Sequence, residues 1–113
     1  MSKLFFGFAI ADSMFAQDCV IRRTSLSIDA VREYLPSAIP CLNPSHTATI
    51  DAMRSRFDID VVIPERPQQV SLESGDSLIV MGVRGLPRLT DRHEYNAEEI
   101  AAATFNFTLY EVF

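Results

Sequence analysis

The alternation of apolar and polar residues near the end of the chain predicts a β-strand. Over residues 105–110, two phenylalanines and a leucine alternate with Asn, Thr and Tyr, and a period of two places each set on its own face of a sheet. We interpret Phe105 and Phe107 as core residues rather than as a platform on which bases stack.

Shorter apolar runs earlier in the chain predict the other strands. They are rich in Phe, Val, Ile and Leu and are bounded by turn-forming residues, as strands usually are. Residues 73–76, Glu-Ser-Gly-Asp, read as the turn that joins the last two of these runs as a strand pair. Residues 60–63 form either a brief strand or an extended connection. The predicted strands cover residues 3–9, 19–25, 38–42, 68–72 and 77–83.

Three segments carry the spacing of helices. Residues 28–35 follow Ser27, a suitable N-cap, and residues 97–103 follow Asn96, which forms a capping-box pattern with Glu99. Between them, a helix is expected to begin after Ser45, its N-cap, and to end near residue 57, because apolar residues recur at helical spacing. Residues 11–14 form a turn or short helical start, capped by Asp12 or Ser13.

Strands and helices therefore intermix along the chain, which predicts an α/β or α+β domain with a single mixed β-sheet flanked by helices. The chain has 113 residues, of which 48% are hydrophobic, and this suits one domain, 1–113, with one core. No apolar run reaches the length of a membrane span, and the first residues lack the features of a signal peptide. We expect a cytoplasmic protein without membrane contact, in which Cys19 and Cys41 are buried thiols.

The charge of the chain restricts its partners. A formal net charge of −5 argues against binding to long nucleic acid. Nine of the ten basic residues are arginines, and arginine grips phosphate through a planar, bidentate fork. A local arginine cluster can therefore bind a compact polyanion even on an acidic protein.

The most informative stretch is Asn43-Pro44-Ser45-His46-Thr47 at the start of the central helix. Free backbone N–H groups and the positive end of the helix dipole favour anions at such a place. An imidazole there can give or take a proton near neutral pH. His46 is thus a candidate for phosphodiester cleavage, and its alternative is a surface histidine near a helix cap.

Four blocks of the chain together resemble the DUF1874 family of small viral and plasmid proteins, which includes anti-CRISPR ring nucleases that destroy cyclic tetra-adenylate. The matching blocks stand in order and span nearly the whole chain. They are residues 3–6 with 11–15, residues 45–49, residues 65–66 with 72–80, and residues 88–91 with the ending 109–113.

The resemblance implies roles for particular residues. His46 falls on the family's catalytic histidine, and Arg88 falls on an active-site arginine. Arg66 falls on an arginine that holds the ligand. Asp91 stands where the family usually has a glutamate, and either orients His46 or pairs with a neighbouring arginine.

Further candidate ligand-binding residues follow from the same blocks. Ala11 aligns with a serine of the family, and Ser13 is close enough to take that serine's place. Ser45 and Thr47 flank the histidine. Arg84 replaces Arg88 as the functional arginine if the register through residues 84–87 shifts.

These residues suit cleavage of a ribose phosphodiester without a metal. The substrate's 2′-hydroxyl attacks the adjacent phosphorus in line and leaves a 2′,3′-cyclic phosphate. Arginines stabilise the phosphoryl charge, while His46 protonates the departing 5′-oxygen. His46, His93 and Glu94 are too few and too badly spaced for a zinc site, and we expect no metal and no cofactor.

The sequence therefore predicts a metal-independent ring nuclease that cleaves cyclic oligoadenylate, with cyclic tetra-adenylate the first choice. The resemblance implies a homodimer that encloses the ring across its interface. Two alternatives are a protein that sequesters a cyclic nucleotide without cutting it and a virus-type regulatory protein.

Overall fold

The computed structural model describes residues 2–66, 69–86 and 95–113, and within them one mixed sheet organises the chain. The five strands lie in the order β2-β5-β4-β1-β3. β1 pairs in parallel with β3 and β4, whereas β5 pairs antiparallel with β2 and β4. The predicted fold class is confirmed. The strands are β1 (Leu4–Gly7), β2 (Ile21–Leu26), β3 (Ile39–Pro40), β4 (Ser77–Arg84) and β5 (Thr104–Val112).

In the described part of the chain, three α-helices connect the strands, as the sequence predicts. They are α1 (Ile28–Tyr34), α2 (Thr47–Phe57) and α3 (Ala97–Ala102). Ser27 caps α1 by accepting a hydrogen bond from the N–H of Ala30 at 3.2 Å. Asn96 and Glu99 form the predicted capping box of α3. Each cap satisfies backbone donors that a helix leaves free at its first turn.

The sheet buries a hydrophobic layer on each face. Phe6, Ile79 and Phe107 point to one face, where they pack in one core with residues of α1 and α2. Their neighbours Phe5 and Leu78 point to the opposite face, which loop residues cover. Phe57 of α2 makes edge-on ring contacts with Phe105 and Phe107, so the prediction that these two rings belong to the core is confirmed.

The predicted strand pair between residues 68–72 and 77–83 is wrong. β4 pairs with β1 and β5 instead, while Leu72 forms an isolated parallel bridge with Phe15. Val70 and Leu72 are buried because they cover one face of the sheet rather than extend it. Residues 60–63 belong to no strand and are an extended connection.

The short helical start is confirmed as a 3₁₀ turn over Asp12–Met14, but its predicted cap is wrong. The N-cap is Ala11, which has no polar side chain, and neither Asp12 nor Ser13 makes a side-chain cap hydrogen bond. The turn is closed by backbone bonds, since the N–H of Met14 donates to the carbonyl of Ala11 at 3.0 Å.

Candidate functional site

Adjoining clefts lie where the parallel strands β1, β3 and β4 end. The residues that follow β1 and β3 line them together with the last part of β4. Open α/β sheets bind their ligands beyond the carboxyl ends of parallel strands, so the position is a common one for a binding site.

We call the first of these the central cleft. It has a volume of about 190 Å³ and is mostly apolar, with Phe8, Met14, Leu42 and Val70 among its lining residues. Asn43 and His46 supply its polar side chains. Such a lining, apolar with a few placed polar groups, is typical of small-molecule sites.

The other two clefts extend the central cleft in two directions. The strand-end cleft shares Phe8 and His46 with it and is also lined by Thr49 and by residues 81–83 of β4. The serine cleft shares Met14 and Val70 with the central cleft and adds three polar residues, Ser13, Gln69 and Ser71. The three clefts thus adjoin through shared lining residues, and His46 borders two of them.

His46 is the N-cap residue of α2, and its side chain is exposed. The predicted N-cap, Ser45, is one residue too early. The imidazole makes no cap hydrogen bond, so N–H groups in the first turn of α2 are left for water or for a ligand. An anion that reaches this helix end therefore meets backbone donors and an imidazole together.

The loop before α2 explains the shift of the cap. Oδ1 of Asn43 accepts hydrogen bonds from the backbone N–H of Ser45 at 2.9 Å and from its hydroxyl at 2.7 Å. The carbonyl oxygen of Asn43 accepts from the N–H of His46 at 3.0 Å. The Ser45 hydroxyl, predicted to bind the ligand, is thus engaged with Asn43.

Two threonines stand in the first turn of α2. Thr47, a predicted ligand-binding residue, is the first helical residue and is exposed. Thr49 lines the strand-end cleft with His46, and no local pattern distinguished it from Thr47. Asn43 was also missed, although an asparagine two residues before a serine is a common start of a side-chain-closed turn.

The structure places Ser13 nearer to the site than Ala11. Ser13 lines the serine cleft beside Met14, which also borders the central cleft. Ala11 is exposed at the start of the 3₁₀ turn, and its side chain offers no hydrogen-bonding group. Ser13 is therefore the hydroxyl that this loop supplies.

The candidate arginines in the described part of the chain do not line the clefts. Arg66 and Arg84 are both exposed, and neither is among the described residues that line the three clefts. Arg84 ends β4 and directly follows the part of the strand that lines the strand-end cleft. The predicted catalytic residues Arg88 and Asp91 lie outside the described residues.

Cys41 lines the central cleft as a partly buried thiol. Its Sγ donates to the carbonyl oxygen of Phe6 at 3.1 Å. Burial raises the pKa of the Cys41 thiol above its ordinary value, and a hydrogen bond from the backbone of Cys41 itself opposes that rise. A Cβ at Gly7 would lie 2.9 Å from this sulfur, so the glycine makes room for it.

Two further features concern metals and membranes. Within residues 2–66, 69–86 and 95–113, no group of three or more His, Cys, Asp or Glu side chains lies close enough together to hold a metal ion. In the same part of the chain, none of the helices has the length and apolar character that crossing a membrane requires.

The fold and the clefts define a small α+β domain with a single mixed sheet and a candidate site at the ends of its parallel strands. Its backbone is similar to that of B116 of Sulfolobus turreted icosahedral virus (STIV), with a TM-score of 0.72 and 16% sequence identity. The match covers 97% of this chain and 99% of the viral one. No family model matches the chain, and no curated protein matches it.

Proposed function

We propose that the protein is a metal-independent ring nuclease that cleaves cyclic oligoadenylate, with cyclic tetra-adenylate as the first candidate. The observation that carries the proposal is the position of His46. It stands at the uncapped N-terminus of α2 and borders two adjoining clefts at the ends of the parallel strands. The resemblance of four sequence blocks to the DUF1874 family supplies the substrate.

The helix end supports binding of a phosphodiester. The N–H groups in the first turn of α2 and the dipole of this 11-residue helix favour a negative charge beside His46. Thr49, which carries a hydroxyl, lines the strand-end cleft together with His46. A phosphate held there would place its leaving oxygen within reach of the imidazole.

The central cleft suits a nucleobase beside that phosphate. Phe8, Met14, Leu42 and Val70 offer apolar surface, and flat bases stack well on aromatic and apolar side chains. Ser13 and Gln69 in the serine cleft can bind hydroxyl groups or base edges of an adjoining nucleotide. The connected clefts therefore fit a ligand that is longer than one nucleotide.

The reaction uses the ribose 2′-hydroxyl as its nucleophile. The 2′-hydroxyl releases its proton to water, and its oxygen forms a bond to phosphorus as the bond to the 5′-oxygen breaks. His46 gives its proton to that leaving 5′-oxygen. Arg66 and either Arg84 or Arg88 stabilise the phosphoryl charge. The role proposed for Asp91 is to orient His46, and the product carries a 2′,3′-cyclic phosphate.

A homodimer would match the symmetry of a four-membered ring. In a two-fold dimer the same surface of each copy faces the ligand, so two His46 side chains would meet opposite phosphates. This assembly is part of the proposal and rests on the family resemblance.

The test replaces His46 with alanine. We expect single-turnover cleavage of cyclic tetra-adenylate to slow by about 10²–10⁴-fold, the usual contribution of a general acid, with binding and melting temperature little changed. Ser55→Ala is the matched control, because Ser55 is an exposed residue of the same helix. A His46→Ala variant that cleaves at the parent rate would remove His46 from the mechanism.

Ala11 favours one alternative, a protein that binds a cyclic nucleotide without cutting it. The family's serine is replaced here by a residue without a hydroxyl, exposed at the start of the 3₁₀ turn. A sequestering protein would bind the ring tightly and return it intact. Chromatography of the nucleotide after long incubation separates the two functions.

A further inference from the structure

The side-chain amide of Asn43 has a fixed orientation. Its outer atom nearest to Ser45 lies 2.9 Å from the backbone nitrogen and 2.7 Å from the hydroxyl oxygen. A backbone N–H can only donate a hydrogen bond, so the atom that faces it must be the carbonyl oxygen Oδ1. The amide nitrogen Nδ2 is therefore on the side away from Ser45.

Nδ2 of Asn43 remains available to a ligand. It carries two N–H donors, and among the described residues it has no hydrogen-bond partner. Asn43 lines the central cleft together with His46. The backbone bond from the N–H of His46 to the carbonyl of Asn43 joins the two residues in one rigid turn.

We propose that Asn43 is a further substrate-contacting residue. Its Nδ2 donates a hydrogen bond to a non-bridging oxygen of the phosphate whose leaving 5′-oxygen His46 protonates. This inference rests on the function proposed above. Asn43 neither gives nor takes a proton in the reaction. Asn43 stabilises the negative charge that develops on the phosphoryl oxygens. The hydrogen bonds to Oδ1 orient the amide before the substrate binds, so the amide need not reorganise during the reaction.

The substitution Asn43→Asp distinguishes this substrate-contacting role from a purely structural one. Aspartate keeps an oxygen for the N–H and hydroxyl of Ser45, so the turn before α2 is preserved. It replaces the Nδ2 donor with a second, negatively charged oxygen that repels the phosphate. If Asn43 served the turn alone, Asn43→Asp would act only through its added charge, and sulfur in the substrate would slow this variant as much as it slows the parent protein.

We expect Asn43→Asp to slow single-turnover cleavage of cyclic tetra-adenylate by about 10²–10³-fold, the range for loss of one donor to a developing oxyanion. Its melting temperature should stay near that of the parent. Asn43→Ala should lose similar activity and also some stability. Ser55→Ala is the control, because Ser55 is an exposed residue of α2 that lines none of the three clefts, and its rate should match that of the parent.

A substrate with sulfur in place of the non-bridging oxygen gives a second readout. Sulfur accepts hydrogen bonds poorly, so the parent should cleave this substrate more slowly than the oxygen substrate. The ratio of these two cleavage rates should be smaller for Asn43→Asp, which has already lost the donor. Full activity of Asn43→Asp, or an unchanged sulfur effect, would overturn the proposal. A parent that cleaves no cyclic oligonucleotide would instead overturn the proposed function.

Discussion

The backbone N–H of Leu72 donates to the carbonyl oxygen of Met14 at 2.6 Å. This bond joins the loop after β1 to the segment before β4, together with the bridge between Phe15 and Leu72. Ser13 and Val70, which line the serine cleft, belong to these two segments. One side of the candidate site is thus formed by two segments that these backbone interactions join.

Shortening Leu72 should loosen this junction. Leu72 is 2% exposed and packs in the core on the loop-covered face. Leu72→Ala is expected to lower the free energy of unfolding by about 2–5 kcal/mol, because it leaves a cavity. Chemical denaturation measures the change. Val62, which is 81% exposed, provides the control, and equal losses for Val62→Ala would contradict the packing described.

The exposed arginines should matter for the ligand and not for the fold. If Arg66 reaches a phosphate of the ring, Arg66→Ala should weaken binding or slow cleavage by about ten- to a hundredfold, from the loss of a charge-assisted hydrogen bond. Arg66→Lys should keep only part of the parent's binding or cleavage rate, since lysine lacks the bidentate fork. Equilibrium binding and single-turnover kinetics measure both variants.

Arg22→Ala is the control for this prediction, because Arg22 is exposed on the edge strand β2. Arg54 serves less well, since its guanidinium donates to the carbonyl of Val61 at 3.3 Å. The same pair of assays on Arg84→Ala and Arg88→Ala decides which loop arginine acts. If Arg22→Ala were as harmful as Arg66→Ala, the phosphates would lie elsewhere.

Cys41 reports on occupancy of the central cleft without any need for catalysis. Because burial raises the pKa of its thiol, the thiol should react with iodoacetamide more slowly in the folded protein than in the denatured chain at neutral pH. Bound cyclic tetra-adenylate should slow the reaction further by covering the cleft. Mass spectrometry of labelled peptides measures both rates, and a ligand that binds but leaves Cys41 labelling unchanged would place the site elsewhere.

The raised pKa also gives this cysteine a pH-dependent effect on stability. The unfolded thiol ionises first as the pH rises, and the folded thiol stays protonated to a higher pH. Its contribution to stability is therefore complete below the pKa of the unfolded thiol and is lost as the pH rises through the folded value. Cys41→Ala should reduce the alkaline loss of stability, as measured by denaturation at several pH values.

Local patterns predicted the elements of this fold, but not all of their pairings. The alternation over residues 105–110 and the caps at Ser27 and Asn96 act within a few residues, and the structure has β5, α1 and α3 there. The run ending at Leu72 also alternates apolar and polar residues, yet it covers the sheet instead of joining it. That choice depends on distant partners, Met14 and Phe15, which no local pattern specifies.

For the candidate site, too, local patterns predicted some residues and missed others. Helical spacing placed His46 at the start of α2, where the structure has it. The cap was misassigned because Asn43 takes the hydroxyl of Ser45, a competition between side chains that propensities alone do not decide. Ser13 and Thr49 reach the clefts only through the folding of loops and strand ends.

The most direct test of the central claim is product analysis of cyclic tetra-adenylate after incubation with the protein in excess EDTA. Mass spectrometry should find linear products that end in a 2′,3′-cyclic phosphate, formed at the same rate with and without the chelator, because the proposed reaction uses His46 and the substrate's own hydroxyl. An intact ring, or cleavage that stops in EDTA and returns with a divalent cation, would contradict it.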